Sequence, residues 1–426
     1  MLLALLAGAP FVRAQENQPP AAAAPASSKE AEKQTACIVC HQIQGGSLAA
    51  PTAPFPTDIH AEKGLTCASC HGGDPTSMDP KIAMNPAKGF RGKPSREQVP
   101  EFCGRCHSDT AYMHRYNPSV QTDQLAQYRT SQHGKLLSQG DPRVATCINC
   151  HSVHDIKMAS DPSSPVYPTN ISGTCGRCHS NTEYMAGYDD LPGLTQVADY
   201  EKSVHYQSLK EQGNLSAPTC VTCHSSHGAT PPGVRSIADV CGTCHANNRQ
   251  LFEMSAHAPA FAEMEIRGCV QCHGNHAIFR ADEKLLAGAD SVCMTCHQDN
   301  DAGAQRSEAM AKRIQELESA ITLAKATLDQ ADRAGMDVSA ASAELTAAHS
   351  HLVMSRTSIH SLDLAMVNGA IEKGLPIAAK VTQEGRDKLA EVQSRRKGVA
   401  LFALLVLAIV LSLYLYIRQE KESPPA

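Results

Sequence analysis

Two thiols three positions apart, with an imidazole on the next residue, recur nine times in this chain. The copies begin at Cys37, Cys67, Cys103, Cys147, Cys175, Cys220, Cys241, Cys269 and Cys293, and together they use all 18 cysteines. Disulfide frameworks and zinc sites also need cysteine pairs, but neither requires a histidine directly after every pair. Covalent attachment of haem does: two thiols bond to the porphyrin edge, and the histidine that follows fills one axial position on the iron. The sequence therefore predicts nine copies of haem c. Their covalent anchors are Cys37, Cys40, Cys67, Cys70, Cys103, Cys106, Cys147, Cys150, Cys175, Cys178, Cys220, Cys223, Cys241, Cys244, Cys269, Cys272, Cys293 and Cys296. The proximal iron ligands are His41, His71, His107, His151, His179, His224, His245, His273 and His297.

Of 20 histidines, 11 remain after those nine. They are enough to fill the opposite face of every iron. His154, His227 and His276 repeat at one offset after a motif, as in "CINCHSVH". His133, His205 and His257 repeat inside Ser-x-His segments, and His60 precedes Cys67 in "DIHAEKGLTCASCH". These seven, with His349 and His360 from the tail, are the expected distal ligands; His114 and His351 are further candidates outside that set. His154 lies three residues beyond His151 and should reach a neighbouring haem rather than its own. Met113 and Met185, each beside a tyrosine, read as packing. No catalytic residue is assigned.

The elements that must carry these groups show internal repetition. "CGRCHSDTAYM" at 103 returns as "CGRCHSNTEYM" at 175, and "CGTCHANNRQL" at 241 is a weaker copy. Each is followed by a helix with Ser-x-His and then by a second motif with a trailing histidine. Proline and glycine are frequent between motifs, and no stretch alternates like a strand for long. The expected fold is mainly α with much irregular loop, organised by covalent haems over 37–300. A helical hairpin or bundle over 304–397 follows, where Met310, Ile314, Leu317, Ile321 and Leu328 recur at helical spacing. "RAGMD" at 333–337 should end its first helix, and "KGLP" at 373–376 should divide the second from a third, with Gly374 as a cap and Pro376 as an opener. His349 and His360, eleven apart, should share one helix face with Leu345, Leu352 and Ile359.

Composition agrees with a core that is not built from side chains. The 426 residues include no Trp and only 4% aromatics. A net charge of −5 and the lack of a basic, aromatic-studded stripe exclude nucleic acid as a partner. Residues 1–14 read as a partial signal peptide and 15–36 as a Pro/Ala-rich linker. Residues 398–417 contain no charge and match the thickness of a bilayer, which predicts one transmembrane helix followed by a cytoplasmic tail, 418–426.

Over 37–297 the nine motifs, the "CHxxH" triplets and the Ser-x-His segments resemble the multihaem c-type cytochromes with paired Cys-x-x-Cys-His motifs. The tail, "HSHLVMSRTSIHS" followed by "SRRKG" and the apolar span, resembles that of members anchored in the inner membrane. The resemblance implies bis-histidine haems, a haem domain facing the periplasm, and electron transfer in anaerobic respiration. The implied partners are a quinol-oxidising membrane complex and other cytochromes, with a homo-oligomer left open. Cys-x-x-Cys-Lys, the active-site motif of many cytochrome c nitrite reductases, does not occur. A reductase of a small nitrogen or sulfur oxyanion, and a subunit of an extracellular cytochrome filament, stand as the alternatives.

Overall fold

The computed structural model describes residues 35–188, 193–288 and 291–422. The expected signal peptide, the linker up to residue 34 and the last four residues of the tail lie outside them. Among the described residues there is no strand. The chain divides into two compact units, one running to Leu194 and taking in Asn214–Ala229, the other holding Thr195–Gly213 and everything from Thr230 onward.

The first unit consists of short helices joined by loops, and the motifs dictate many of them. Spacing of three and four residues puts both thiols and the imidazole on one face of a single helical turn. Cys67–His71, Cys147–His151 and Cys220–His224 are such turns. Each is closed at its start by a threonine in a reciprocal capping box, Thr66 with Ser69, Thr146 with Asn149 and Thr219 with Thr222. The chain leaves these turns through a residue of positive φ: Gly72 at 71°, Ser152 at 70° and Ser225 at 69°. Longer helices, Val99–His107 and Ile171–His179, carry the two "CGRCH" copies.

Two of the three Ser-x-His segments are serine-capped helix starts, and in the third Ala256 stands at the N-cap with His257 as the first helical residue. Ser131 accepts from the Gly134 N–H at 3.1 Å and opens Gln132–Ser138, and Ser203 accepts from the Tyr206 N–H at 3.2 Å and opens Val204–Lys210. In both the histidine is the second helical residue. The segment around His60 has the same design with another residue: Asp58 caps Ile59–Glu62 and accepts from the His60 N–H at 2.8 Å.

The second unit adds the long helices of the tail: α1 (Ala302–Arg333), α2 (Ser339–Ser358) and α3 (Leu364–Glu422). They pack around Met310, Ile314, Leu317, Leu352, Val367, Ile371 and Ala378. The break expected at 333–337 is present, with Gly335 at φ 81°. The break expected at "KGLP" is not, since α3 runs straight through Pro376. An interior proline costs a helix about 3 kcal/mol. Val367 and Ile371 before it, and Ala378 and Val381 after it, are all fully buried, at about 1.5–3 kcal/mol for each large side chain, which outweighs the break. Gly374 is a point of close approach, not a cap. A Cβ there would stand 2.9 Å from a Leu317 methyl and 3.0 Å from the His351 Cβ. α3 contains one segment long and apolar enough to cross a membrane, with mean hydropathy 2.7 and none of it buried.

Candidate haem sites

The structure brings predicted proximal and distal histidines together across long sequence separations. In the first unit His107 faces His60 with ring centroids 6.0 Å apart, His71 faces His154 at 6.3 Å, His179 faces His133 at 6.1 Å and His151 faces His227 at 6.0 Å. In the second, His245 faces His205 at 6.5 Å, His297 faces His257 at 5.9 Å and His273 faces His360 at 5.9 Å. A metal held at about 2.1 Å from one nitrogen of each of two imidazoles separates their centroids by roughly 6.3 Å. All seven pairs thus stand at the distance that one iron between them requires. Haem c fits the residues present: each pair has one ring on a Cys-x-x-Cys-His turn, with both thiols beside it.

Ring orientation varies. His151 and His227 are within 8° of parallel, His273 and His360 within 25°, and His71 and His154 within 26°. His60 with His107 and His257 with His297 are close to perpendicular, at 89° and 86°. Burial pushes the imidazoles of His107, His133, His151, His154, His179, His205, His227, His257, His273, His276 and His360 below their ordinary range. That favours the neutral ring, the form that coordinates a metal.

The pairing follows the repeat. A histidine at a helix start (His60, His133, His205, His257) faces the histidine of a motif further along the chain (His107, His179, His245, His297). Two histidines trailing a motif turn back to an earlier one, so that His154 faces His71 and His227 faces His151. His273 has no later repeat to draw on, and His360 from the tail stands there instead. His360 lies in a 3-10 turn, Ile359–Ser361, beyond the end of α2. That turn takes it off the helix face which sequence spacing assigned to it jointly with His349. His349 is exposed on α2, and His351 is partly buried with its Nδ1 unpartnered. His114 is exposed, with its Nε2 3.2 Å from the Val120 carbonyl. His41 closes the helix Ala36–Gln44 with Nδ1 3.1 Å from the Leu48 carbonyl. His224 ends its motif turn, and His276 is half-buried.

Within each unit, consecutive motifs adjoin through their thiols. In the first unit Cys37 neighbours Cys67, Cys106 neighbours Cys70 and Cys175 neighbours Cys150, while the thiol of Cys103 is within hydrogen-bonding reach of Cys147 and that of Cys175 of Cys220, all of them free thiols. In the second the thiol of Cys241 is within hydrogen-bonding reach of Cys269 and Cys293 neighbours Cys272. Sequence reasoning missed the groups that fasten this row. Arg105 donates to the Cys70 carbonyl at 3.0 Å, and Arg177, its counterpart in the second "CGRCH", donates to the Asn149 carbonyl at 2.6 Å. The repeated arginine was the available signal. Also missed were the partners of ligand Nδ1 atoms: Asp58 on His60 at 2.8 Å, Asp301 on His297 at 3.0 Å, the Gly92 carbonyl on His71 at 2.8 Å and the Thr357 carbonyl on His360 at 3.0 Å. Each fixes a tautomer that leaves Nε2 for the iron.

Comparison with known proteins agrees with this geometry. Residues 59–180 match the cytochrome c3 family and residues 213–250 the doubled CXXCH motif. The multiheme cytochrome MtrA of Shewanella baltica (strain OS185) is 26% identical over 280 residues, covering 61% of this chain and 65% of that protein. The C-type polyheme cytochrome OmcC of Geobacter sulfurreducens (strain ATCC 51573 / DSM 12127 / PCA) is 19% identical over 310 residues, covering 60% of this chain and 38% of the relative. The chain thus spans just under two-thirds of the first relative's length and well under half of the second's. No solved structure matches. Imidazoles set at the span of one iron, on turns that carry two thiols each, meet these matches in a single conclusion: the chain belongs to the multihaem c-type cytochromes.

Proposed function

We propose that this cytochrome is a membrane-anchored electron conductor carrying nine haems c, with its haem-bearing part on the periplasmic face of the inner membrane. It takes electrons from a quinol-oxidising membrane complex and passes them to soluble or outer cytochromes. Haem, when bound, supplies a one-electron iron couple. The observation that carries the reading is the set of seven histidine pairs at 5.9–6.5 Å. A histidine on each face leaves an iron no open position, so the protein favours a change of charge over binding of a substrate. Two histidines also hold the potential below that of a Met/His pair, which suits electrons leaving a quinol pool. The adjoining thiols of consecutive motifs support transfer along a row, and the apolar part of α3 supports the anchor.

Purified protein should carry nine haems per chain, counted by intact mass and by haem absorbance. Its oxidised spectrum should be low-spin. EPR should resolve two classes of low-spin signal, one for near-parallel rings such as His151 with His227 and one for perpendicular rings such as His60 with His107. A haem that is high-spin and takes up carbon monoxide or nitrite would move the assignment to an oxyanion reductase. The first place to look would be the motif at Cys37, where His41 faces no second histidine ring among the described residues.

A further inference from the structure

Four helix starts present a histidine toward an opposing motif, and the residue two before each histidine differs in one respect: three are serines, of which Ser131 and Ser203 cap their helices and Ser255 lies just ahead of the N-cap Ala256. Ser131, Ser203 and Ser255 are neutral and engaged with backbone groups, accepting from Gly134 and Tyr206 in the first two and donating to the Phe252 carbonyl in the third. The first start has Asp58, which is 1% exposed. Its Oδ1 accepts from the His60 backbone N–H and stands 2.8 Å from the His60 Nδ1, and its Oδ2 accepts from the Ile156 N–H at 2.8 Å. The Ile59 N–H donates to the Ile156 carbonyl at 2.8 Å, so the two segments are joined twice. Ile156 lies two residues beyond His154, in a loop where Ser152 and His154 both have positive φ, 70° and 64°. Non-glycine residues resist that conformation, and it needs holding from outside. His154 is the ring opposite His71.

We propose that Asp58 governs two adjacent irons by different means. Its charge, hydrogen-bonded to the His60 Nδ1, lowers the reduction potential of the iron between His60 and His107. Its second oxygen holds the strained loop that presents His154 to the iron of His71. A buried carboxylate on an imidazole N–H draws the proton toward itself and makes the opposite nitrogen a stronger donor, which favours the ferric state. Little water reaches Asp58 to screen it. Asp301 makes the same contact with His297 at 3.0 Å, but it is 40% exposed and the effect there is smaller. Asp58 is a positioning residue, acting on metal only through His60 and His154.

The inference rests on the proposed haem ligation, and the experiment separates the two. In the full-length holoprotein His60→Met should raise one midpoint potential, because a Met/His iron has a higher potential than a bis-His iron. That identifies the affected iron; no shift at all would sink the ligation itself. Asp58→Asn, close to isosteric but uncharged, should raise the same midpoint by about 59 mV, a tenfold change for a one-electron couple, with the iron still low-spin. Asp58→Ala should in addition make the iron of His71 partly high-spin, as the loop bearing His154 loosens. Asp301→Asn should raise a different midpoint by less. A shift in His60→Met with none in Asp58→Asn overturns the electronic role. A fully low-spin Asp58→Ala protein overturns the positional one. Should neither Asp58 variant mature, an unmoved midpoint in Asp301→Asn overturns the electronic claim, and a low-spin iron at His71 in Ile156→Pro, which lacks the donor N–H, overturns the positional claim.

Discussion

In the tail, Ile314, Leu317, Val367, Ile371, Ala378 and Val381 are fully buried, and they form continuous apolar clusters between three long helices. Across residues 35–188 the buried apolar side chains are Val99, Leu137, Val144 and Ile171, four for the five motifs in that stretch. The residues that recur through that stretch are histidines in facing pairs and half-buried thiols in rows. Short helices, most of four to nine residues, could not persist alone in water. The contrast teaches that one part of this chain carries its own core while the other is completed by a cofactor, and it separates their folding requirements.

The largest effect should come from withholding haem. Chain produced without haem attachment should lose the structure of 35–300 and retain the helices of the tail. Limited proteolysis should digest the motif region and leave a helical fragment beginning near Ala302, with far-UV circular dichroism to match. A motif region that resists protease without haem breaks the comparison. The converse test acts on the tail. Leu317→Ala, in the fully buried cluster against Gly374, should cost about 2–5 kcal/mol of bundle stability in chemical unfolding, with haem midpoints unmoved. Coupled loss of haem signal at that step would show that the two parts unfold together. The smallest effect sharpens the link between cap and ligand. Ser203→Ala should cost about 0.5–2 kcal/mol, read as faster hydrogen exchange over Val204–Lys210, and should leave the His245 iron low-spin.

Much of this was legible in sequence because the haem motif is local. Two thiols and an imidazole on one turn can be read from spacing alone, and so can a histidine repeated at a fixed offset. Which histidine faces which was not legible. His107 and His60 are joined through the path of the chain, and no local period encodes that path. His349 was expected to share a role with His360, but α2 ends at Ser358 and a tighter turn carries only His360 to His273. Gly374 and Pro376 read as punctuation because local propensity says so. Close packing on Leu317 and burial on both sides of the proline prevailed. Asp58 was hidden by a substitution in the repeat: aligned on their histidines, "DIH" and the Ser-x-His segments share one register, with aspartate in place of serine.

The unbroken course of α3 has a mechanical meaning. Its 59 residues form a rod of about 88 Å, at 1.5 Å per residue, shared by the bundle and the apolar stretch. A rod transmits tilt and torque where a jointed linker would dissipate them. Were its far half seated in lipid, the inclination taken there would dictate the inclination of the bundle at the other end. Because His360 sits just ahead of the near end of that rod, opposite His273, the bilayer would gain leverage on the placing of a metal centre.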